Sequence, residues 1–213
     1  MHDVIDPPRS QVTSAVAPTP ISSSRALAWI FVVGGGIGLL AAVVLLVEKI
    51  SLIEDPDYIP SCSINPILSC GSIMRTGQAE AFGFPNPIIG VAGFAIVATI
   101  GMAMLAGASF RRWFWIGLQA GTTFGVAFVH WLIFQSLYRI GALCPYCMVV
   151  WVVTIALFWY TTLHNARSLS SPAARRAVAA AASYHGVVLT AWYLAIAALV
   201  GARFWDYWST LLS

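Results

Sequence analysis

Five long apolar runs alternate with polar segments along this 213-residue chain. Each run has about 20 residues, the length that an α-helix needs to cross the roughly 30 Å hydrocarbon core of a bilayer. No water satisfies backbone N–H and C=O groups inside a bilayer, so each run is predicted to be helical. The predicted spans cover residues 26–47, 88–107, 113–137, 144–163 and 187–205.

The polar segments differ in character. Residues 1–24 are rich in proline and serine and have no apolar periodicity, which predicts a disordered tail. Residues 48–87 mix acidic, proline and apolar positions, which indicates an ordered loop outside the membrane. Within that loop, residues 70–82 have the pattern of a short amphipathic helix on the membrane surface.

Composition agrees with a membrane protein. Hydrophobic residues make up 59% of the chain and charged residues only 9%, whereas about a quarter of a soluble domain is charged. The net charge is +3, and no basic run is interleaved with aromatic residues. Nucleic acid is therefore not an expected partner, and the lipid bilayer is.

The distribution of basic residues predicts the orientation, because cytoplasmic loops carry an excess of lysine and arginine. With the N-terminus in the cytoplasm, seven arginines lie inside and four basic residues lie outside. The inner set is Arg9, Arg25, Arg111, Arg112, Arg167, Arg175 and Arg176, and the outer set is Lys49, Arg75, Arg139 and Arg203. The loop of residues 48–87, the start of the fourth span and the C-terminus then face the extracytoplasmic side, where disulfides are permitted.

The four cysteines form two pairs on that side of the membrane, Cys62 with Cys70 in the loop and Cys144 with Cys147 at the start of the fourth span. A Cys-x-x-Cys at a helix start favours a thiolate on its first cysteine, because free backbone N–H groups point at it. Pro145 suits the first helical turn. Two pairs on one face allow thiol–disulfide exchange from loop to bundle, and a lipid-soluble quinone is the expected final electron acceptor.

Two other interpretations of the cysteines stay open from spacing alone. The pairs are also compatible with static structural disulfides. A zinc site with four cysteine ligands is the second alternative, although this spacing is unusual for one.

The third span contains a histidine and a repeat of glycines. A neutral histidine hydrogen-bonded to a neighbouring helix is favoured for His130 over a functional ionisable group. The repeat of Gly117, Gly121 and Gly125 predicts close helix packing.

Three segments together resemble the vitamin K epoxide reductase family in its bacterial branch. They are CSINPILSCGS from Cys62, FGFPNPIIGV from Phe82 and LCPYCMVVWV from Leu143, and the resemblance covers about residues 26–163. It implies an all-α membrane protein with a four-helix bundle around a quinone pocket, here residues 25–165, followed by a linker and a peripheral fifth helix in residues 166–213. It also implies a thiol oxidase of the bacterial cytoplasmic membrane that re-oxidises a periplasmic thioredoxin-fold protein resembling DsbA.

The resemblance assigns roles to single residues. Cys144 and Cys147 match the active-site pair, with Cys147 nearest the quinone, which is menaquinone or ubiquinone. Cys62 and Cys70 match the loop pair that carries electrons from the partner. Asn86 matches an asparagine that hydrogen-bonds the quinone carbonyl.

The chain also departs from the family pattern. Trp151 stands where vertebrate members have a tyrosine that hydrogen-bonds the vitamin, and it is expected to bind the quinone together with Asn86 and Cys147. Tryptophan donates one hydrogen bond but accepts none, which disfavours epoxide chemistry. The sequence gives no thioredoxin domain after the fifth helix, so the partner is expected to be a separate polypeptide. The rival functions are a vitamin K epoxide or quinone reductase and a non-enzymatic membrane scaffold that is disulfide-stapled or metal-binding.

Overall fold

The computed structural model describes residues 25–167 and 172–212, so the predicted tail, residues 1–24, lies outside the described residues. In these ranges five helices are long and apolar enough to cross a membrane, and one isolated bridge is the only β pairing. The predicted all-α membrane fold is confirmed. The helices are α1 (Arg25–Glu54), α2 (Cys70–Met74), α3 (Pro87–Leu105), α4 (Arg112–Gln135), α5 (Pro145–Ala166), α6 (Pro172–Ser183), α7 (His185–Arg203) and α8 (Trp205–Leu212).

The first helix is longer than predicted, and this corrects the start of the loop. Residues 48–54 were assigned to the loop, but α1 continues to Glu54. Its 30 residues extend over about 45 Å at about 1.5 Å per residue, which exceeds the roughly 30 Å hydrocarbon core. Pro56, two residues past the end, disfavours helical backbone at the residue before it. The last turns of α1 therefore rise out of the membrane and support the loop.

The predicted surface helix of residues 70–82 is also corrected. It is broken into α2 and a 3₁₀ turn, Gly77–Glu80. The Arg75 backbone N–H bonds back to the Gly71 carbonyl and closes α2. The Thr76 hydroxyl then donates to the Ile73 carbonyl over 2.7 Å. These bonds satisfy the end of α2 locally, so the chain turns there instead of continuing as one helix.

Two close helix pairs build the bundle. Helix α3 packs on α1, and α4 packs on α5, which also contacts α1. The α1–α3 approach depends on glycine: a Cβ at Gly35 would lie 2.7 Å from the Ala98 backbone nitrogen, and one at Gly101 would lie 2.7 Å from that of Val32. Small residues permit such contact between membrane helices. An apolar cavity lies between the two pairs.

The fifth span, α7, is held on the outside of this bundle by side-chain hydrogen bonds. The Trp192 indole donates to His130 Nε2 over 3.0 Å, and His130 Nδ1 lies 2.8 Å from the Val126 carbonyl. The imidazole thus accepts at one nitrogen and donates at the other, as a neutral ring does. The structural interpretation of His130 is confirmed. Arg203 adds a hydrogen bond from Nε to the Leu137 carbonyl over 2.8 Å.

Candidate active site

All four cysteines lie at the loop end of the bundle. Cys62 and Cys70 form a disulfide, and Cys144 and Cys147 are free thiols. The sulfur of Cys70 lies 3.0 Å from the sulfur of Cys144. The two pairs are therefore in direct contact through one sulfur from each, which is the geometry that thiol–disulfide exchange requires.

A short backbone pairing sets this contact. Leu68 and Leu143 form a parallel bridge, in which the Ser69 N–H donates to the Leu143 carbonyl over 2.8 Å and the Leu143 N–H donates to the Ile67 carbonyl over 2.7 Å. Each bridge residue lies one or two positions before a reactive cysteine. This pairing is not predictable from the sequence, because a single bridge has no strand-length pattern.

Cys144 is the N-cap of α5, and its surroundings favour the thiolate. The backbone N–H of Cys147 points at the Cys144 sulfur over 3.4 Å. The pKa of Cys144 is lowered from its ordinary value, first by a hydrogen bond from the Cys147 side chain and then by backbone N–H groups of Cys147 and Tyr146, which together outweigh burial. A low-pKa cysteine is the better leaving group and is ionised at a lower pH.

Two neighbouring charged residues near the end of α1 anchor the loop. Glu48 and Lys49 are both buried, with exposed fractions of 6% and 7%. The Glu48 carboxylate accepts from the Tyr58 hydroxyl over 2.9 Å and from the Ser61 hydroxyl. The bond to Glu48 raises the pKa of Tyr58. This side of the anchor holds the segment just before Cys62.

Lys49 anchors the other half of the loop. Its Nζ donates to the Met74 carbonyl over 2.7 Å and lies 2.9 Å from a carboxylate oxygen of Glu80. In the sequence, the Glu48–Lys49 pair has the position of a polar flank at the end of the first span. Their position directly after an uninterrupted apolar run is also what a loop anchor would show, so the pattern alone did not distinguish the two roles.

An apolar cavity of about 860 Å³ lies between the helix pairs, within the usual size range of a small-molecule site, about 300–1,000 Å³. Cys147, Asn86, Trp151 and Lys49 all line it. The cavity follows α4 as far as Trp113 near the start of that helix. Its mostly apolar lining suits a hydrophobic ligand.

Asn86 and Trp151, which are expected to bind the quinone, both line this cavity. They differ in their hydrogen bonds. Asn86 donates to the Gln78 carbonyl over 2.7 Å and accepts from the Ala81 N–H over 3.0 Å, so it also holds the loop. One amide N–H of Asn86 remains for a ligand. Trp151 has a buried indole nitrogen without a hydrogen-bond partner among the described residues, and the residue lines the cavity.

The glycine repeat of α4 has a different role from the predicted one. A Cβ at Gly117 or Gly121 would meet nothing within 4 Å, and one at Gly125 would lie 3.3 Å from Thr154. All three glycines line the cavity. The packing prediction is therefore wrong for Gly117 and Gly121, whose missing side chains widen the cavity.

The arrangement of the cysteine sulfurs does not favour a metal site. The sulfurs of Cys62, Cys70 and Cys144 lie within 4.8 Å of one another, without Cys147 in the group. Two of the three are joined in the disulfide and offer no thiolate, which is the form that binds a metal.

A search of curated proteins returned no matching relative. The model of the vitamin K epoxide reductase family matches residues 29–162. That segment contains all of α2, α3 and α4, most of α1 and α5, and all four cysteines. Members of this family are membrane oxidoreductases that work with quinone-type redox partners. The match covers more than half of the chain, and this protein belongs to the vitamin K epoxide reductase family.

Proposed function

We propose that this protein is a membrane thiol oxidase that passes two electrons from a reduced extracytoplasmic dithiol, through its two cysteine pairs, to a quinone. The observation that carries the proposal is the 3.0 Å contact between the sulfurs of Cys70 and Cys144. A static structural disulfide has no need of a second, free pair in contact with it. The electron donor is a separate thioredoxin-fold protein of the DsbA type, and the product is oxidised donor for disulfide formation in secreted proteins.

Each exchange step forms one disulfide bond and breaks another. The partner dithiol reduces the Cys62–Cys70 disulfide and becomes a disulfide itself. The Cys70 thiolate attacks Cys144 of an oxidised Cys144–Cys147 pair, forms a Cys70–Cys144 disulfide and releases the Cys147 thiolate. Cys62 then attacks Cys70, which restores the loop disulfide and leaves Cys144 and Cys147 as the dithiol. This last state has the same pairing as the structure.

Cys62 is assigned to the partner because it lies on the outer side of the loop pair. It is 4% exposed whereas Cys70 is fully buried, and the neighbouring Ser61 and Ile64 are exposed. Cys70 is occupied by its contact with Cys144. The partner thiol therefore meets Cys62 first, and the electrons move inward.

The quinone, menaquinone or ubiquinone, fits the cavity as the second substrate. Cys147 lines the cavity together with the donors Asn86 and Trp151, which are assigned to the quinone carbonyl oxygens. The dithiol of Cys144 and Cys147 gives up two electrons and two protons, and the quinone takes up both to become a hydroquinone. The α3–α4 side of the cavity is lined by apolar residues, which suits a polyprenyl tail.

The compartment follows from the distribution of charge. With the N-terminus in the cytoplasm, the arginine-rich ends of the spans lie inside. Both cysteine pairs then lie on the extracytoplasmic side of a bacterial cytoplasmic membrane, where an oxidised partner is used.

Trapping the exchange intermediate tests the order of the steps. In a Cys147→Ser variant the Cys144–Cys147 disulfide cannot form. The Cys144 thiolate can still attack Cys70 of the loop disulfide and release the Cys62 thiolate. The resulting Cys70–Cys144 disulfide cannot be cleaved by a Cys147 thiolate, so this cross-link is expected to accumulate. Peptide mapping under non-reducing conditions identifies it. A Cys62–Cys144 cross-link would reverse the assigned order.

Complementation tests the function as a whole. The protein is expressed in bacteria that lack their own enzyme for re-oxidising the periplasmic thiol oxidant. Rescue of disulfide formation is expected from the unaltered chain and not from variants at any of the four cysteines. Rescue by a Cys144→Ala variant would overturn the proposal.

The family relationship also supports a second candidate, reduction of vitamin K epoxide. Trp151 offers a hydrogen-bond donor but no acceptor. This favours a quinone as the ligand, because its carbonyl oxygens accept hydrogen bonds and donate none. Comparing turnover of the epoxide and of the quinone by the purified protein distinguishes the two. Faster turnover of the epoxide would favour the second candidate.

A further inference from the structure

Lys49 is the one charged side chain among the described residues that line the cavity. A lysine ammonium that is buried beside an apolar cavity is energetically expensive unless its charge is paired and hydrogen-bonded. Lys49 lies in α1, five residues before the helix ends at Glu54, and its side chain is 9% exposed. Its burial against an otherwise apolar cavity therefore needs an explanation beyond topology.

The lysine lies at the end of the cavity where the cysteines are. Its Nζ donates to the Met74 carbonyl, and Met74 packs in the same hydrophobic cluster as Cys144 and Cys147. Met74 and Asn86 line the cavity beside it. A quinone ring that lies next to Cys147 would therefore occupy the same end of the cavity as the ammonium group of Lys49.

The loop anchor does not use the full capacity of Lys49. An ammonium has three N–H donors. The structure assigns two of them, one to the Met74 carbonyl over 2.7 Å and one to Glu80 over 2.9 Å. One donor remains without a partner among the described residues. Glu80 itself is 41% exposed, so its carboxylate connects the buried ammonium to water.

Resting on the proposed function, we propose that Lys49 is a catalytic residue of the quinone half-reaction, which hydrogen-bonds one quinone oxygen and protonates it. When the Cys144–Cys147 dithiol becomes a disulfide, its electron pair enters the quinone ring and negative charge develops on the ring oxygens. Lys49 gives one proton to that charge, and a proton from water returns to Lys49 through Glu80. The two protons released by the thiols balance the two taken up by the hydroquinone.

The test separates the two half-reactions in the purified full chain. Thiol–disulfide exchange is measured without quinone, by adding dithiothreitol and counting alkylated cysteines with time. Quinone affinity is measured from the quenching of tryptophan fluorescence by a short-chain ubiquinone. Quinone reduction is measured in a single turnover of the pre-reduced protein.

A Lys49→Met variant is expected to slow single-turnover quinone reduction by about 100-fold, the lower end for loss of a general acid, and to weaken quinone binding. Exchange without quinone is expected to change far less. Lys49→Arg restores affinity but not the full rate, because a guanidinium does not release its proton. Lys49→Gln, which keeps a donor for the Met74 carbonyl, replaces Lys49→Met if the latter does not fold.

Arg75→Met is the matched control for a loop anchor. Arg75 also donates to a loop carbonyl, that of Tyr58, over 3.2 Å, but it does not line the cavity. It is expected to leave quinone affinity and reduction unchanged. If Lys49→Met slows exchange as much as quinone reduction, or changes neither, Lys49 is only an anchor and the inference is overturned. If the unaltered protein performs neither half-reaction, the proposed function itself fails.

Discussion

The indole of Trp151 gives the sharpest test of the quinone site. Its nitrogen is buried without a partner among the described residues, and the residue lines the cavity four positions after Cys147. A Trp151→Phe variant keeps an aromatic ring but loses the N–H. A hydrogen bond contributes about 0.5–1.5 kcal/mol net, so quinone Kd is expected to rise about 2- to 12-fold at about 1.4 kcal/mol per tenfold.

Trp159 on the same helix provides the matched control. Its indole nitrogen is also buried without a partner among the described residues, but it does not line the cavity. Both substitutions remove an unpaired N–H, which relieves about 1–3 kcal/mol of desolvation, and both reduce packed volume. Their effects on the stability of the quinone-free protein are therefore expected to be similar, whereas only Trp151→Phe weakens binding.

Thermal unfolding in detergent with added short-chain quinone measures both effects. Binding to the folded state raises the unfolding temperature in proportion to RT ln(1 + [quinone]/Kd). The quinone-dependent increase is expected to be smaller in Trp151→Phe than in the unaltered protein, and unchanged in Trp159→Phe. Equal changes in the two variants, or no change in Trp151→Phe, would refute the assignment of the indole to the quinone.

Two further predictions concern the bundle and the nucleophile. Gly35→Val is expected to lower the unfolding temperature strongly, because a Cβ there lies 2.7 Å from the backbone of α3, whereas Gly36→Ala next to it meets nothing within 4 Å and is expected to stabilise the helix by about 0.5–1 kcal/mol. Cys147→Ala is expected to raise the pKa of Cys144, because the Cys147 thiol is the largest cause of its lowered value. The comparison is made in a chain whose Cys62 and Cys70 are both changed to serine, so that Cys144 stays a free thiol with and without Cys147. Titration of the thiolate ultraviolet absorbance measures this pKa, and an unchanged or lower value would contradict the account.

Much of the fold was predictable because a bilayer imposes a strong pattern. Runs of about 20 apolar residues must be helical there, so all five spans were found from sequence. Spacing and topology likewise predicted that the two cysteine pairs lie at one end of the bundle, where the sulfurs of Cys70 and Cys144 are in contact. Asn86, which the family resemblance suggested, lines the cavity. Helix ends were harder, since α1 leaves the membrane at its outer end and is then governed by local bonds. Glu48 and Lys49 looked like the end of a span because burial by a loop leaves no periodic signal.

The cavity shows a second limit of sequence patterns. Gly117 and Gly121 have the spacing of a packing face, yet no neighbouring atom lies within 4 Å of a Cβ at either position. A repeat of small residues can allow close helix packing or can leave an open cavity. The position of the facing helix determines which of the two occurs. Helix α3 packs on α1 and not on α4, so the α4 glycines line a cavity.

The anchoring of the loop bears on how electrons pass between the pairs. The loop is tied at Tyr58 and Ser61 through Glu48, at Met74 through Lys49, and beside Cys70 by the bridge to Leu143. Because the sulfur of Cys70 already lies 3.0 Å from the sulfur of Cys144, the two can react without movement of the loop backbone. Exchange between the pairs then requires side-chain rotation at the sulfurs. Under the proposed function, only the segment around Cys62 would have to move when a partner thiol approaches, and the motion would be confined to that side of the loop.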